Sequence, residues 1–474
     1  MNSILIKQVK RLSSFINIPL VVFLLVFTVD KVILKAAGIV LIFLLHPDFK
    51  FKTRFRQIPS FYLFIILFEI VKFSFFNADF TMGHTMSFIV GCLFWLCSLL
   101  CVYQLQSLIQ KEDKEKISRS IDLFFIVNVA ISLYNIIWTM VHSGSINPYT
   151  ANSEQFNTST GDYIRGIFMG PCYINMMVNS FFIFYYLYKK RIAYSLFATV
   201  IAILTTCNFA NLILLPILLV CFLFIKEKKA KWSIVYSVTL IILFYCFVSP
   251  SNLQYLKDSI WASEKQQQEL IAYETAALNS DSNINNDISP FITLKLEDKY
   301  GKLLAFKETR DFLLSGPRQF LLGAGISNYS SFLALRTSGL NRSENSKLFN
   351  YLPEHRAKDF ERDHYQIFKT IYSLPRAFHS IKHFPNSFIN QLFGEYGIIG
   401  VLLFILFYVY YFMKHFSKLT YGKYLIFLLG GFLLFDYLFE YLSVVVIFEL
   451  LMLVDLKEAQ AKPQNSTGAI ETHE

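Results

Sequence analysis

Apolar runs centred near residues 22, 39, 67, 94, 130, 177, 199, 217, 240, 405, 430 and 447 punctuate the chain. Each is long enough, or nearly so, to cross about 30 Å of hydrocarbon as a helix, which takes about 20 residues. The pattern predicts an all-α polytopic membrane protein with about twelve transmembrane helices. One gap is unlike the others: between Pro250 and Glu395 there is no span-length apolar run but a mixed polar stretch of about 145 residues, enough for a small domain. Within it residues 302–313 (KLLAFKETRDFL) read as an amphipathic helix and residues 279–286 (NSDSNINN) as a surface loop. Its apolar stretches 320–322 and 332–335 would be exposed in a free loop, so the segment is expected to pack onto the helix bundle. The expected division is residues 1–249 for helices one to nine, 250–395 for a partly helical loop domain, 396–456 for helices ten to twelve, and 457–474 for a polar tail. The chain shows no internal repeat.

Composition agrees. Hydrophobic residues make up 54% of the chain and charged residues 16%, against about 25% charged in soluble domains, which excludes a soluble globular enzyme. With 50 Phe and 27 Tyr the chain is far too aromatic for disorder. A net charge of +10 would suggest nucleic acid as partner to a soluble protein, but here the cations are clustered. Lys50, Lys52, Arg54 and Arg56 form one group, and Lys111, Lys114, Lys116 and Arg119 another. Lys189, Lys190 and Arg191 follow, then Lys226, Lys228, Lys229 and Lys231, then Lys414 and Lys418. The clusters fall in every second gap. By the positive-inside rule they face the cytoplasm, with both termini, and the gaps near 78–84, 142–165 and 250–395 face outward. No nucleic-acid partner is expected. The seven cysteines lie in or beside apolar runs, so no disulfide framework is implied. The first run follows Lys7, Lys10 and Arg11 without a small-residue cleavage site and reads as a retained span.

Two segments of the long gap carry its most distinctive residues. SGPRQFLLGAGISNYSSFLALR, residues 315–336, holds Arg318, a Gly323-Ala324-Gly325 turn and Arg336. HFPNSFINQLFGEYGIIGVLLF, residues 383–404, runs into the tenth apolar run with His383, Pro385, Asn386, Gln391, Glu395, Gly397 and Gly400. These segments resemble the O-antigen ligase and O-antigen polymerase family. In that family a Pro-Leu-Gly-x-Gly-like stretch is followed by a His-Asn-x-Phe-like stretch and a Glu-x-Gly-Leu/Ile-x-Gly helix start. Residues 165–171 (RGIFMGP) look more loosely like the family's Arg-x-x-Gly-x-Phe region. The chain departs from the family where Thr206-Cys207-Asn208-Phe209 replaces a frequent Ser-Arg pair, and where Phe384 and Pro385 separate His383 from Asn386.

The resemblance implies about twelve spans with one long extracytoplasmic loop between the ninth and tenth, in a bacterial cytoplasmic membrane. It implies an inverting, metal-independent, cofactor-free transfer of glycan from undecaprenyl diphosphate to an acceptor hydroxyl on the outer side. The implied partners are the lipid-linked glycan donor, a glycan or lipid acceptor, the bilayer and other polysaccharide-assembly proteins. His383 is then the catalytic residue, and Arg165, Arg318, Arg336, Arg342, Asn386 and Glu395 bind substrate. The chemistry suits the residue types. A sugar hydroxyl is a weak nucleophile and calls for a base with a pKa near 7, which histidine supplies. A departing diphosphate gathers negative charge, which a guanidinium can grip with two parallel hydrogen bonds.

Each residue also has a plain structural reading. His383 would serve as an interfacial residue beside a helix start, Arg318 as a solvated turn residue after Pro317, and Arg165 as a membrane-mouth anchor. Arg336 and Arg342 carry no stronger signal. Glu395 would orient the following helix, and Gly323 and Gly325 would serve only the turn. His379 and His383 have the spacing of helical metal ligands, but no third ligand is fixed by spacing and the resembling family is metal-free, so no metal is expected. Glu69 with Lys72, Asp436 with Glu440, and Glu449 lie in or near spans, where ionisable groups are costly; internal ion pairing is the plain reading. A polymerase is favoured slightly over a ligase. A flippase would be expected to show internal repeats, and a receptor has no cytoplasmic loop large enough for a signalling domain.

Overall fold

The computed structural model describes residues 14–29, 32–45, 58–76, 80–150, 160–260, 301–340, 353–373 and 384–461. Every regular element among them is helical. The first nine apolar runs contain α1 (Ile18–Thr28), α2 (Val32–Leu45), α3 (Pro59–Phe76), α4 (Met82–Lys111), α5 (Lys114–Ser143), α6 (Cys172–Tyr188), α7 (Ile192–Leu204), α8 (Asn208–Phe224) and α9 (Lys228–Leu243). The long gap contributes α10 (Pro250–Ile260), α11 (Gly301–Leu314), α12 (Pro317–Leu322), α13 (Phe332–Thr337), α14 (Lys358–Arg362) and α15 (His364–Ser373). The last three runs hold α16 (Phe388–Leu403), α17 (Gly422–Phe432) and α18 (Leu442–Gln460).

Five apolar helical stretches are long enough to cross a membrane: Pro59–Phe76, Met82–Lys111, Lys114–Ser143, Lys228–Val248 and Phe388–Lys418. Shorter apolar helices occur at Ile18–Thr28, Ile192–Leu204, Asn208–Phe224 and Gly422–Phe432. At 1.5 Å per residue the 11-residue α1 rises only about 16 Å, so an apolar run and a full-length span are not the same thing here. Large apolar side chains stand exposed along the bundle, including Leu44, Phe75, Leu223, Phe224 and Phe247. A surface so rich in them calls for lipid; the chain is an all-α membrane protein.

The bundle interior is aromatic. Phe61 meets Trp95, Phe404, Tyr408 and Phe439 at centroid distances of 5.4–6.1 Å in edge-on geometry. The Tyr62 and Tyr408 hydroxyls donate to Glu449 Oε1 at 2.6 and 3.2 Å, so this buried carboxyl is hydrogen-bonded by its neighbours. Beyond α17 the backbone is irregular from 433 to 441 apart from a single 3-10 turn, Leu438–Glu440. Irregular backbone that is buried needs internal partners: the Phe388 N–H donates to both Leu433 O and Asp436 O, at 3.0 and 2.9 Å.

The helix expected from residues 302–313 forms as α11 and buries Lys302, Ala305, Thr309 and Phe312, one stripe at helical spacing. The stretch 332–335 packs inward through Leu333, Ala334 and Leu335, but Phe320 and Leu321 remain exposed. The tenth apolar helix starts at Phe388, inside the stretch assigned to the loop domain, because Ser387 caps it by accepting from Ile389 N at 3.2 Å. The last helix runs on to Gln460, past the start of the expected tail. The surface loop expected at 279–286 lies outside the described residues.

Candidate functional site

Segments 315–336 and 384–404 come together at the end of the bundle that carries the loop helices. The Ala324 N–H donates to Gly394 O at 2.8 Å and the Gly325 N–H to Glu395 O at 2.9 Å. Gly397 breaks α16 at φ 61°, ψ −165°, and Gly323 sits at φ 66°, ψ −171°. Lys72 of α3 stitches the joint from below, donating to Leu322 O at 2.9 Å and Glu395 O at 2.7 Å while ion-paired with Glu69. Glu69 in turn accepts from Ile326 N at 3.0 Å. The noted pair of ionisable residues in the third run is therefore an internal ion pair that pins the glycine turn.

Behind this joint lies a cavity of about 20 Å³ with a largely apolar wall, Trp95, Ile326, Leu333 and Phe439 among it, into which Ser331, Gln391, Glu395 and Glu440 bring polar groups. That is room for one water, not for a sugar ring. Glu395 is fully buried, and its Oε2 has no hydrogen-bond partner among the described residues. Glu440 caps α13: its carboxylate accepts from Phe332 N at 3.1 Å, Leu333 N at 3.0 Å and Gln391 Nε2 at 2.7 Å.

A second buried group forms where α11, α6, the start of α16 and the 433–441 segment converge. Lys302 donates to Asn386 O and, at 3.0 Å, to Phe435 O. The buried Asp436 carboxylate accepts from Tyr437 N at 2.7 Å and is bonded by the Tyr173 hydroxyl and the Asn386 side chain. The Tyr173 and Tyr441 hydroxyls are 3.0 Å apart. Burial pulls the Lys302 ammonium down to about 7, against the opposite pull of Asp436. Asn386 Oδ1 is buried without a hydrogen-bond partner among the described residues.

The six anticipated substrate-binding residues and the anticipated base fare differently. Asn386 belongs to the Lys302–Asp436 group and Glu395 to the cavity. Arg336 is half-buried with its guanidinium 3.8 Å over the Phe332 ring, which itself abuts Tyr441 at 5.6 Å. One wall of rings thus joins Arg336 to Tyr173 and Asp436. Arg318 is exposed and donates to Phe76 O at the end of α3. Arg165 is exposed, its Nε donating to Asp162 O at 3.1 Å. It stands on a short 3-10 segment held by Asn128 and Asn135, whose amide oxygens accept from Ile167 N and Gly166 N, both at 3.1 Å. His383, Arg342 and His379 lie outside the described residues.

Several polar residues at this end gave no sequence signal. Asn328 bridges two imidazoles, its Oδ1 2.9 Å from His355 Nε2 and its Nδ2 3.0 Å from His84 Nε2, and the two rings stack at 4.7 Å. Lys302 is the exception: it shares the buried stripe of α11 with Ala305, Thr309 and Phe312, and a lysine in that register is a mismatch the helical periodicity could have shown. Among the described residues there is no group of three or more His, Cys, Asp or Glu side chains placed to hold a metal ion. No protein-family model matches the chain, and no curated protein matches it.

Proposed function

We propose that the chain is a membrane glycosyltransferase of the O-antigen polymerase or ligase type, with the polymerase reading slightly favoured. The observation that carries the reading is the buried Lys302–Asn386–Asp436–Tyr173 group, whose Asn386 stands three residues after His383 in the second family-like segment. Buried polar groups of this density are costly unless they hold something in place. In this reading they hold the segment bearing His383.

The reaction moves a glycan from undecaprenyl diphosphate to an acceptor hydroxyl. The acceptor oxygen forms a bond to the anomeric carbon from the face opposite the diphosphate, and the carbon–oxygen bond to the diphosphate breaks. The bonding pair leaves with undecaprenyl diphosphate, and the hydroxyl proton passes to His383. Arg336, on the ring wall above Tyr441, and Arg165 supply positive charge for the leaving group. In this reading both termini and the basic clusters lie in the cytoplasm and the 250–395 segment outside, in a bacterial inner membrane with about twelve spans.

Deleting the gene in its host and examining the lipid-linked glycans tests this. A polymerase leaves single repeat units on undecaprenyl diphosphate, and wild-type but not His383→Ala protein restores long chains. Full-length glycan left on undecaprenyl diphosphate would mark a ligase instead. Units trapped on the cytoplasmic face would make the protein a flippase, and an unchanged glycan profile would remove the reading.

A further inference from the structure

Phe320 and Leu321 of α12 are 44% and 45% exposed, and Leu314, at the elbow between α11 and α12, is 70% exposed. These side chains have a neighbour in kind. Arg318 of α12 donates to Phe76 O, which ties the helix to the end of the membrane-length α3. That end and the start of α4 expose Phe75, Phe76, Phe80 and Met82, at 79%, 46%, 63% and 68%. The apolar surface of the loop helices is therefore continuous with the lipid-facing surface of the bundle. Lys72, one turn below Phe76, donates to Leu322 O, fixing α12 at the level where α3 ends. Arg318 itself is exposed at this level.

We propose that the α11–α12 elbow is a membrane-interface element, seated in the headgroup layer with Leu314, Phe320 and Leu321 in the acyl boundary and Arg318 among lipid phosphates. An apolar edge combined with a cation suits that layer, where arginine keeps its guanidinium at the phosphates while apolar neighbours reach the chains. A water-facing position would leave the apolar side chains of α12 and of the adjoining ends of α3 and α4 exposed to solvent together. The occupant is the bilayer itself, and the inference does not depend on the glycosyltransferase reading.

The test is spin-label depth measurement on the full chain in lipid nanodiscs, with the exposed native Cys246 replaced by serine. Nitroxides are placed by Phe320→Cys and, separately, Leu321→Cys. Phe75→Cys serves as the lipid-facing reference and Glu361→Cys, on exposed α14, as the water-facing one. The expected result is that both elbow labels are relaxed more by oxygen than by a water-soluble nickel chelate, as at position 75. Labels at 320 and 321 that match position 361, with nickel access dominant, would overturn the proposal. Should either variant fail to elute as folded protein, the other gives the same readout. If both fail, trypsin access to Arg318 in intact nanodiscs decides: protection supports seating and ready cleavage opposes it.

Discussion

Gly323 and Gly397 meet backbone to backbone: a Cβ built on either would stand 2.7 Å from the other's amide nitrogen. Both also sit at positive φ with ψ near 180°, a region essentially closed to other residues. The joint between the loop and the bundle is thus specified twice at each glycine.

Alanine at either position should cost well over the about 1–3 kcal/mol of the backbone strain alone, because the neighbouring atoms are backbone and cannot turn aside. Thermal unfolding of Gly323→Ala and Gly397→Ala in detergent is the check, with Gly430→Ala as control, since a Cβ there meets nothing within 4 Å. Equal melting temperatures for all three would show that the joint is slack.

Lys302→Met should matter through both stability and transfer. The stem volume is kept, but Asn386 O and Phe435 O lose their donor, at a cost of about 1–3 kcal/mol for each acceptor left buried and unpaired. With an ordinary lysine pKa of 10.5 lowered to about 7, the unfolded chain holds a proton that the folded one has released between those values. Stability therefore rises as pH goes from about 7 towards 10.5 and falls as pH drops through 7. That rise should flatten in Lys302→Met, measured by unfolding at pH 6.5, 8 and 9.5.

His364 predicts acid sensitivity of the loop helices. Burial beneath α11, against the Tyr329 ring at 4.7 Å, lowers its pKa to about 4, although Asp363 and the Ala305 carbonyl pull the other way and Glu308 lies 3.9 Å off. The unfolded imidazole takes up a proton below 6.5 and the folded one only near 4. Stability from the neutral ring is complete above 6.5 and lost as pH falls to about 4. Amide protection factors in α11 and α15, with the intrinsic pH dependence of exchange divided out, should fall over that window in the wild type and less in His364→Phe. Identical pH profiles would assign the loss to other groups.

Topology can be tested with cysteines introduced at Ser280 and Lys114, in a protein whose Cys246 is replaced by serine. An impermeant maleimide added to intact cells should label position 280 and spare position 114. The reverse pattern would invert the molecule and place the proposed chemistry on the wrong side.

The helical content of the chain was legible because an apolar run in a bilayer has only helix open to it, and each of the twelve runs contains one. Run length misled where a run ends in polar residues that fold back. The eleventh stops at Phe432, and Asp436 and Glu440 in the following turn bind the start of α16 and cap α13. The glycine turn and the Glu395 segment were both singled out in sequence, but their contact arises from backbone hydrogen bonds between distant residues, which side-chain patterns do not encode. Likewise His84, Asn328 and His355 come from three separate elements, and nothing local to any of them announces the others. Phe320 and Leu321 were expected to pack inward, since sequence cannot tell an apolar face that meets protein from one that meets lipid.

The most direct measurement is transfer by purified protein in proteoliposomes supplied with a polyprenyl-diphosphate glycan and acceptor glycan, following the product and the freed polyprenyl diphosphate together. The account predicts both in equal amounts from the wild type, with His383→Ala reduced by about 10²–10⁴-fold and Asn386→Ala also reduced, both variants remaining folded. Wild-type protein that yields neither product from a donor of its own host, or a His383→Ala protein that transfers at the wild-type rate, would contradict it.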